Sequence, residues 1–351
     1  MSNSRLQNDA PHSHHTNIIS ELVKGKLVPG PIWQKREYRL KFLLRSLLFW
    51  SSTHRMLDAL SRRNDFDQLL ASQITLPSKT HRQYLMRGMN ANDRADAIIN
   101  HYQWIDSLKD ADLVKALTGP QEQSIVEFHA KDGVCYNVNA MNASKAEREG
   151  ECTLWLRDSE NTLLASLTFC VARENGQPVL VIGGLQGPRR SVSRDVIKQA
   201  TRACHGLFPK RVLMEVLFQL ATLSGIKAIY AVSDEGHIFR ALRYRLSKGR
   251  HFHASYDEFW ESIDGQKRST FRWQLPLQME RKSLEEIASK KRAEYRRRFE
   301  LLDVAARLPL FLGFERGVDL HVIDVGGLAL LGTADHRQRG LRVAVAAEQL
   351  Q

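Results

Sequence analysis

The sequence predicts an α+β protein: an N-terminal helical region, then a mainly antiparallel sheet that gains a strand by helical crossover. Three observations carry this. Apolar residues recur at helical spacing between Ile32 and about Leu117, which places them on one face of each helix. From Thr118 to Gly184 the period shortens to two, and tight-turn residues punctuate the runs. Beyond Gly187, two striped helices precede another apolar run at 226–232, the order of a crossover connection.

Taken in order, residues 1–31 are polar, end in Val28-Pro-Gly-Pro31, and are read as a disordered segment. His12, His14 and His15 are read as part of a flexible tail without function, with loose binding of a metal ion as the alternative. In the helical region, 32–117, the first helix carries Leu40, Leu43, Leu44, Leu47 and Leu48, with Lys35, Arg36, Arg39 and Arg45 among them. Its apolar face is expected to pack on the domain. A basic amphipathic helix of this kind also suits an anionic membrane surface, so a peripheral contact through 32–50 is the alternative. Helices follow at 66–72 and 91–108, the second striped by Ala95, Ile98, Ile99, Tyr102 and Ile105, with Asn92 or Asp93 as its N-cap.

The third region, 118–303, is read as the α+β core. Strands at 125–130 and 134–138 flank the hairpin turn Lys131-Asp-Gly133, and another runs over 152–157. Leu163, Ala165, Leu167, Phe169 and Val171 alternate, which puts one face of that strand on a core. Asn175-Gly176 turns the chain into a strand at 179–182. Val196, Ile197, Ala200 and Ala203 stripe a helix starting at Ser191 or Ser193 and stopping at His205-Gly206. Val212, Leu213, Val216, Leu217 and Leu220 stripe the next, and Gly225 ends it. The strand at 226–232 is expected beside an earlier one and parallel to it. Further strands are expected at 252–256 and 270–275, and a basic helix at 284–302. Residues 304–351 lack periodicity and are read as an atypical, poorly ordered tail or a non-native reading frame.

The net charge of +12 and the pI near 9.6 call for an anionic ligand or partner. The charge is patchy: 32–63 holds eight Lys/Arg against two acids, and 240–250 holds five with none. No helix-turn-helix or RNP signature accompanies it, so nucleic acid is disfavoured. Met1 to Asn17 has no apolar core, and no run reaches the roughly 20 apolar residues of a spanning helix. With four widely spaced cysteines and no C-x-x-C pair, the expected setting is a reducing cytoplasm, or the periphery of the inner membrane.

The most distinctive stretch is Val179-Leu-Val-Ile-Gly-Gly-Leu-Gln-Gly-Pro-Arg-Arg190, a buried strand running into a basic glycine turn ahead of a helix. Glycines allow close backbone approach, and a helix start offers unpaired N–H groups to an anion. Gly184, Gly187, Arg189 and Arg190 are therefore candidate ligand-binding residues. It is neither a P-loop nor a dinucleotide fingerprint. Its main reading is the close-packed exit of a central strand.

Several phrases together resemble one family. They are Lys41-Phe-Leu-Leu-Arg45, His81-Arg-Gln-Tyr-Leu85, His101-Tyr102, Glu149-Gly-Glu151 and Ile182-Gly-Gly-Leu-Gln-Gly-Pro188. His205-Gly206, Pro209-Lys210, Arg243-Tyr-Arg245, Tyr256-Asp257, Phe259-Trp260 and the basic run from Lys291 to Arg298 complete the set. In this order they resemble the VirK/YbjX family of Gram-negative bacteria, over 38–303. The departure is Gln83, where the family's phrase has proline. The resemblance implies a virulence-associated accessory protein, linked to survival in the host and tolerance of antimicrobial peptides, of unsettled biochemistry.

The order of meander, basic glycine turn, helix and strand is also similar to acyl-CoA-dependent acetyltransferases. This second reading is an analogy of layout, with an extra helix as its departure. It makes Gly206, Lys210 and Arg211, ahead of the 212–220 helix, a second candidate cradle for a cofactor pyrophosphate. The acid–base candidates are Glu151, His205, Asp234 and His237, with Glu149, His101 and Tyr102 beside them. A surface carboxylate or a hydrogen-bonded histidine is the plainer reading of each. No zinc-type spacing links the histidines and cysteines.

Overall fold

The computed structural model describes residues 18–189, 191–240 and 256–305. The N-terminal histidines, Arg190, the basic run 241–250, the strand expected at 252–255 and the tail from 306 lie outside the described residues. The protein is α+β: helices come first, then an eight-stranded sheet of order β1-β2-β3-β4-β5-β6-β8-β7.

The helices are α1 (Ile18–Lys24), α2 (Arg36–Leu48), α3 (Trp50–Ser61), α4 (Phe66–Ser72), α5 (Ala91–Ser107) and α6 (Ala111–Thr118). A 3-10 turn, Leu76–His81, joins α4 to the segment leading into α5. Part of the stretch expected to be disordered is ordered: Ile18, Ile19 and Leu22 are buried on one side of α1. Trp33, also buried, donates its indole N–H to the Ile74 carbonyl at 2.5 Å. The cap of α5 is Asn90, earlier than expected. Its side chain accepts from Asn92 and Asp93 N–H groups while Asp93 reaches back to the Asn90 N–H.

The strands β1 (Gln123–His129), β2 (Cys135–Asn142), β3 (Cys152–Asp158), β4 (Leu163–Glu174) and β5 (Gln177–Gln186) form the expected antiparallel meander. Asn175 and Gly176 both have positive φ (51° and 76°), the pair of values that a two-residue hairpin turn requires. The crossover comprises α7 (Arg194–Ala203), capped by Ser193, and α8 (Pro209–Leu223). It delivers β6 (Ala228–Val232) parallel to β5, from Val179 opposite Ala228 to Ile182 opposite Ala231. Next come α9 (Tyr256–Glu261), β7 (Gln266–Lys267), β8 (Arg272–Leu275) and α10 (Ser289–Ala305). Tyr256 opens a helix where a strand end was expected, and the basic helix starts five residues later than its charge pattern implied.

Alternation divides the sheet into two faces. Leu167, Phe169, Leu180 and Ile182 share a core with Leu113 of α6 and with Val216 and Leu220 of α8. Cys170, Val179, Val181 and Tyr230 point the other way, into a core built by α1, α3 and α5. That second layer reaches β4, β5 and β6, so the same face of β1 and β2 is left to polar residues such as Glu127, His129 and Asn137. No helix among the described residues is long and apolar enough to cross a membrane.

Candidate functional site

Glu149-Gly-Glu151 turns the chain into β3, and its two carboxylates serve different centres. Glu149 lies against Gly183 and Gly184. A Cβ on Gly183 would collide with the Glu149 carbonyl oxygen, and one on Gly184 with its carboxylate. The glycine pair is thus the close-packed strand exit its composition implied, with a carboxylate as the group it admits. Gln186 donates its side-chain amide to both carboxylate oxygens at 3.1 and 3.2 Å. Buried His237 places Nε2 3.3 Å from Glu149 Oε1. Its Nδ1 accepts the Phe239 N–H at 3.3 Å, so in the neutral ring Nε2 carries the proton facing Glu149.

The pair sits where the sheet opens. β5 continues to Gln186, but its pairing with β6 stops at Ile182 and Ala231, so the two strands part at their C-terminal ends. Two aromatic residues of α9 use the backbone groups freed there. The Tyr256 hydroxyl accepts the Leu185 N–H at 3.3 Å, and the Trp260 indole donates to the Val232 carbonyl at 2.8 Å. Tyr256 also lies against His237, ring centroids 5.4 Å apart, and burial pushes its phenol well above the usual range. Asp234 has a positioning role: its carboxylate accepts the N–H groups of Tyr256 (2.8 Å) and Asp257 (3.4 Å) and so holds the start of α9.

The two glycine-containing candidate cradles meet at Lys210. A Cβ on Gly187 would stand 4.0 Å from Lys210 Cε, and the ammonium lies 5.8 Å from the Phe259 ring centroid. Burial lowers the Lys210 pKa, and no acidic group among the described residues offsets that. Arg211 donates to the Ser262 carbonyl, while Arg189 is exposed. Gly206 takes φ +82°, and Arg298 of α10 occupies the space a side chain there would need. Arg298 also donates to the His205 carbonyl at 2.9 Å. Burial, then Lys131 and Arg297, depress the His205 pKa. Among the described residues no contact joins His205 to the Glu149–His237 pair.

Glu151 is committed elsewhere. Its carboxylate is 2.6 Å from Lys79 Nζ and accepts from Tyr84 (2.7 Å) and Tyr102 (2.9 Å). Lys79 also donates to Gln73 at 2.6 Å, and Gln73 donates to Tyr102 at 2.9 Å. All five residues are buried, and this closed network ties the helical region to the sheet. His101 and Cys152 form a second joint, 3.3 Å apart. Glu149 and Glu151 are therefore interior groups, contrary to the expected surface carboxylates. Sequence reasoning missed Lys79, Gln186 and Tyr256 as partners. Tyr256 and Gln186 lay inside the family phrases, whereas nothing local marks a lone lysine in a 3-10 turn.

A family model described as "Protein of unknown function (DUF535)" matches residues 31–308. The chain belongs to this family. The uncharacterized protein YbjX of Escherichia coli strain K12 is 37% identical over 287 residues, 82% of this chain and 87% of its own length. An uncharacterized protein of Haemophilus influenzae strain Rd is 26% identical over 277 residues, 79% of this chain and 90% of its own. The membrane protein LapB of Mannheimia haemolytica shares 33% identity over 88 residues, 25% of this chain and 37% of its own. The family match takes in every element that builds the Glu149–His237 and Lys79–Glu151 centres, and the resemblance to YbjX proteins read from the sequence holds.

Proposed function

We propose that the protein works at an anionic membrane surface, seated on the outer face of α2. The observation that carries this reading is that Leu40, Leu44, Leu47 and Leu48 are 57% to 74% exposed, with Trp50 at the rim. The expectation that this face packs on the domain is not met; Phe42 and Ser46 turn inward instead. Exposed Lys35, Arg36 and Lys41 flank the leucines, against the single exposed acid Glu37 among residues 35–50. Each buried leucine is worth about 1.5–3 kcal/mol on full transfer, and each basic residue near anionic headgroups about 1 kcal/mol. The name of the Mannheimia relative agrees with a membrane setting, and tolerance of antimicrobial peptides would be exercised at such headgroups.

The expected result is flotation of the protein with phosphatidylglycerol-containing vesicles, weaker with phosphatidylcholine alone. Flotation should be lost in the double variant Leu44→Asp/Leu47→Asp, whose exposed positions leave folding intact. Retention by that variant, or equal binding to neutral vesicles, would overturn the reading.

A second reading, acyl transfer from an acyl-CoA, is favoured by one observation. β5 and β6 are parallel neighbours that part past Ile182 and Ala231, and the crossover between them presents Lys210 at the start of α8. A thioester cofactor laid along β5 would pair with the Leu185 N–H, and its pyrophosphate would meet Lys210 and the α8 N-terminus. The Glu149 carboxylate, faced by the His237 Nε2–H, would take the acceptor's proton, and the Tyr256 hydroxyl would give up the Leu185 N–H. Isothermal titration with acetyl-CoA and a long-chain acyl-CoA should release heat that Lys210→Glu removes. No heat with either, from folded protein, would end this reading.

A further inference from the structure

On the open face of the β1–β2 hairpin, three donors of different chemistry converge. The register sets His129 directly opposite Cys135 and Glu127 opposite Asn137, while Phe128 and Tyr136 turn into the core. Side chains two apart on one strand share a face, and directly opposed residues lie about 4.5–5.5 Å apart at Cβ. The ligand atoms of Glu127, His129 and Cys135 accordingly all lie within 4.8 Å of one another. We propose that this triad binds a borderline-soft divalent cation of the zinc type, with its fourth position open to water.

The donor set argues for that class. A thiolate and an imidazole favour zinc over magnesium or calcium, which take all-oxygen shells. Three protein ligands suit a tetrahedral site that keeps one position free. Cys135 is also set apart from Cys152, Cys170 and Cys204, which are buried, whereas Cys135 reaches the surface beside exposed Glu127 and His129. Asp132 does not compete, because its carboxylate accepts the Val134 N–H at 3.1 Å within the turn. The chain order His-x5-Cys is not a zinc motif; the hairpin register makes the cluster. Cation binding here is independent of membrane seating and of acyl transfer.

The test is titration of the full-length, reduced protein with Co2+, followed by displacement with Zn2+. One equivalent of Co2+ should give a thiolate-to-metal charge-transfer band in the near ultraviolet, abolished by Zn2+. Cys135→Ser should lose the band. His129→Ala and Glu127→Gln should each weaken binding by about tenfold or more. Because these side chains lie outside the core, far-ultraviolet circular dichroism should be unchanged in all three. A variant lacking His12, His14 and His15 should bind as the parent does. Absence of the band, its survival in Cys135→Ser, or its loss with the N-terminal histidines would overturn the assignment.

Discussion

Replacing Lys79 with alanine is expected to destabilise the fold by about 3–5 kcal/mol, read from urea unfolding midpoints at neutral pH. The Lys79 and Glu151 side chains are 1% and 0% exposed, so the carboxylate left behind is cut off from bulk solvent and has lost its counter-charge. Tyr84 and Tyr102 still donate to it, but two neutral hydroxyls do not balance a buried charge. The variant Lys79→Met/Glu151→Leu removes both charges together and should recover part of the loss, since no ion remains to be desolvated. A Lys79→Ala cost below about 1 kcal/mol would show that the network is not the joint between helices and sheet.

Acidification is expected to destabilise the protein through His101 before the bulk of its carboxylates titrate. Burial, followed by the charges of Lys79 and Arg63, pushes His101 down to about 3, from about 6.5 in an unfolded chain. His101 Nδ1 accepts the Val171 N–H at 3.1 Å, so the ring's proton sits on Nε2, toward Cys152 Sγ at 3.3 Å. A second proton on Nδ1 would oppose that N–H. The unfolded state therefore binds the proton first. The stabilising term is fully present above pH 6.5 and is lost as pH falls toward 3. At about 1.36 kcal/mol per pH unit it amounts to roughly 3 kcal/mol by pH 4. His81, held to about 4 by burial and then by Arg45 and Arg82, adds in the same direction. A His101→Gln variant should be less stable at pH 7 yet flatter in its stability between pH 6.5 and 4. Parallel curves for the two proteins would count against the assignment.

How much of this was legible beforehand varies with range along the chain. The β4 alternation, the Asn175-Gly176 turn, the Ser193 cap and the α7–α8 crossover are local signals, and each appears where its pattern stood. The glycine pair at 183–184 read as a close approach without saying to what. The answer, Glu149, lies more than thirty residues earlier and meets the glycines only because β4 and β5 bring the turns together. The helix at Leu40 shows the opposite failure. Its leucines recur at a spacing that in most helices marks a buried face, and here that face points outward.

The sequence by itself determined the α+β class, the positions of most elements, the family, and a net charge of +12. These rest on periodicity, turn chemistry and composition, which act over a few residues at a time. Only the tertiary structure decided which charges pair inside, that Glu149 and Glu151 face separate centres, and that Glu127, His129 and Cys135 converge. Those outcomes depend on strand register and on which layer covers which face of the sheet. Moving a register by one residue exchanges the two faces while leaving every local pattern unchanged.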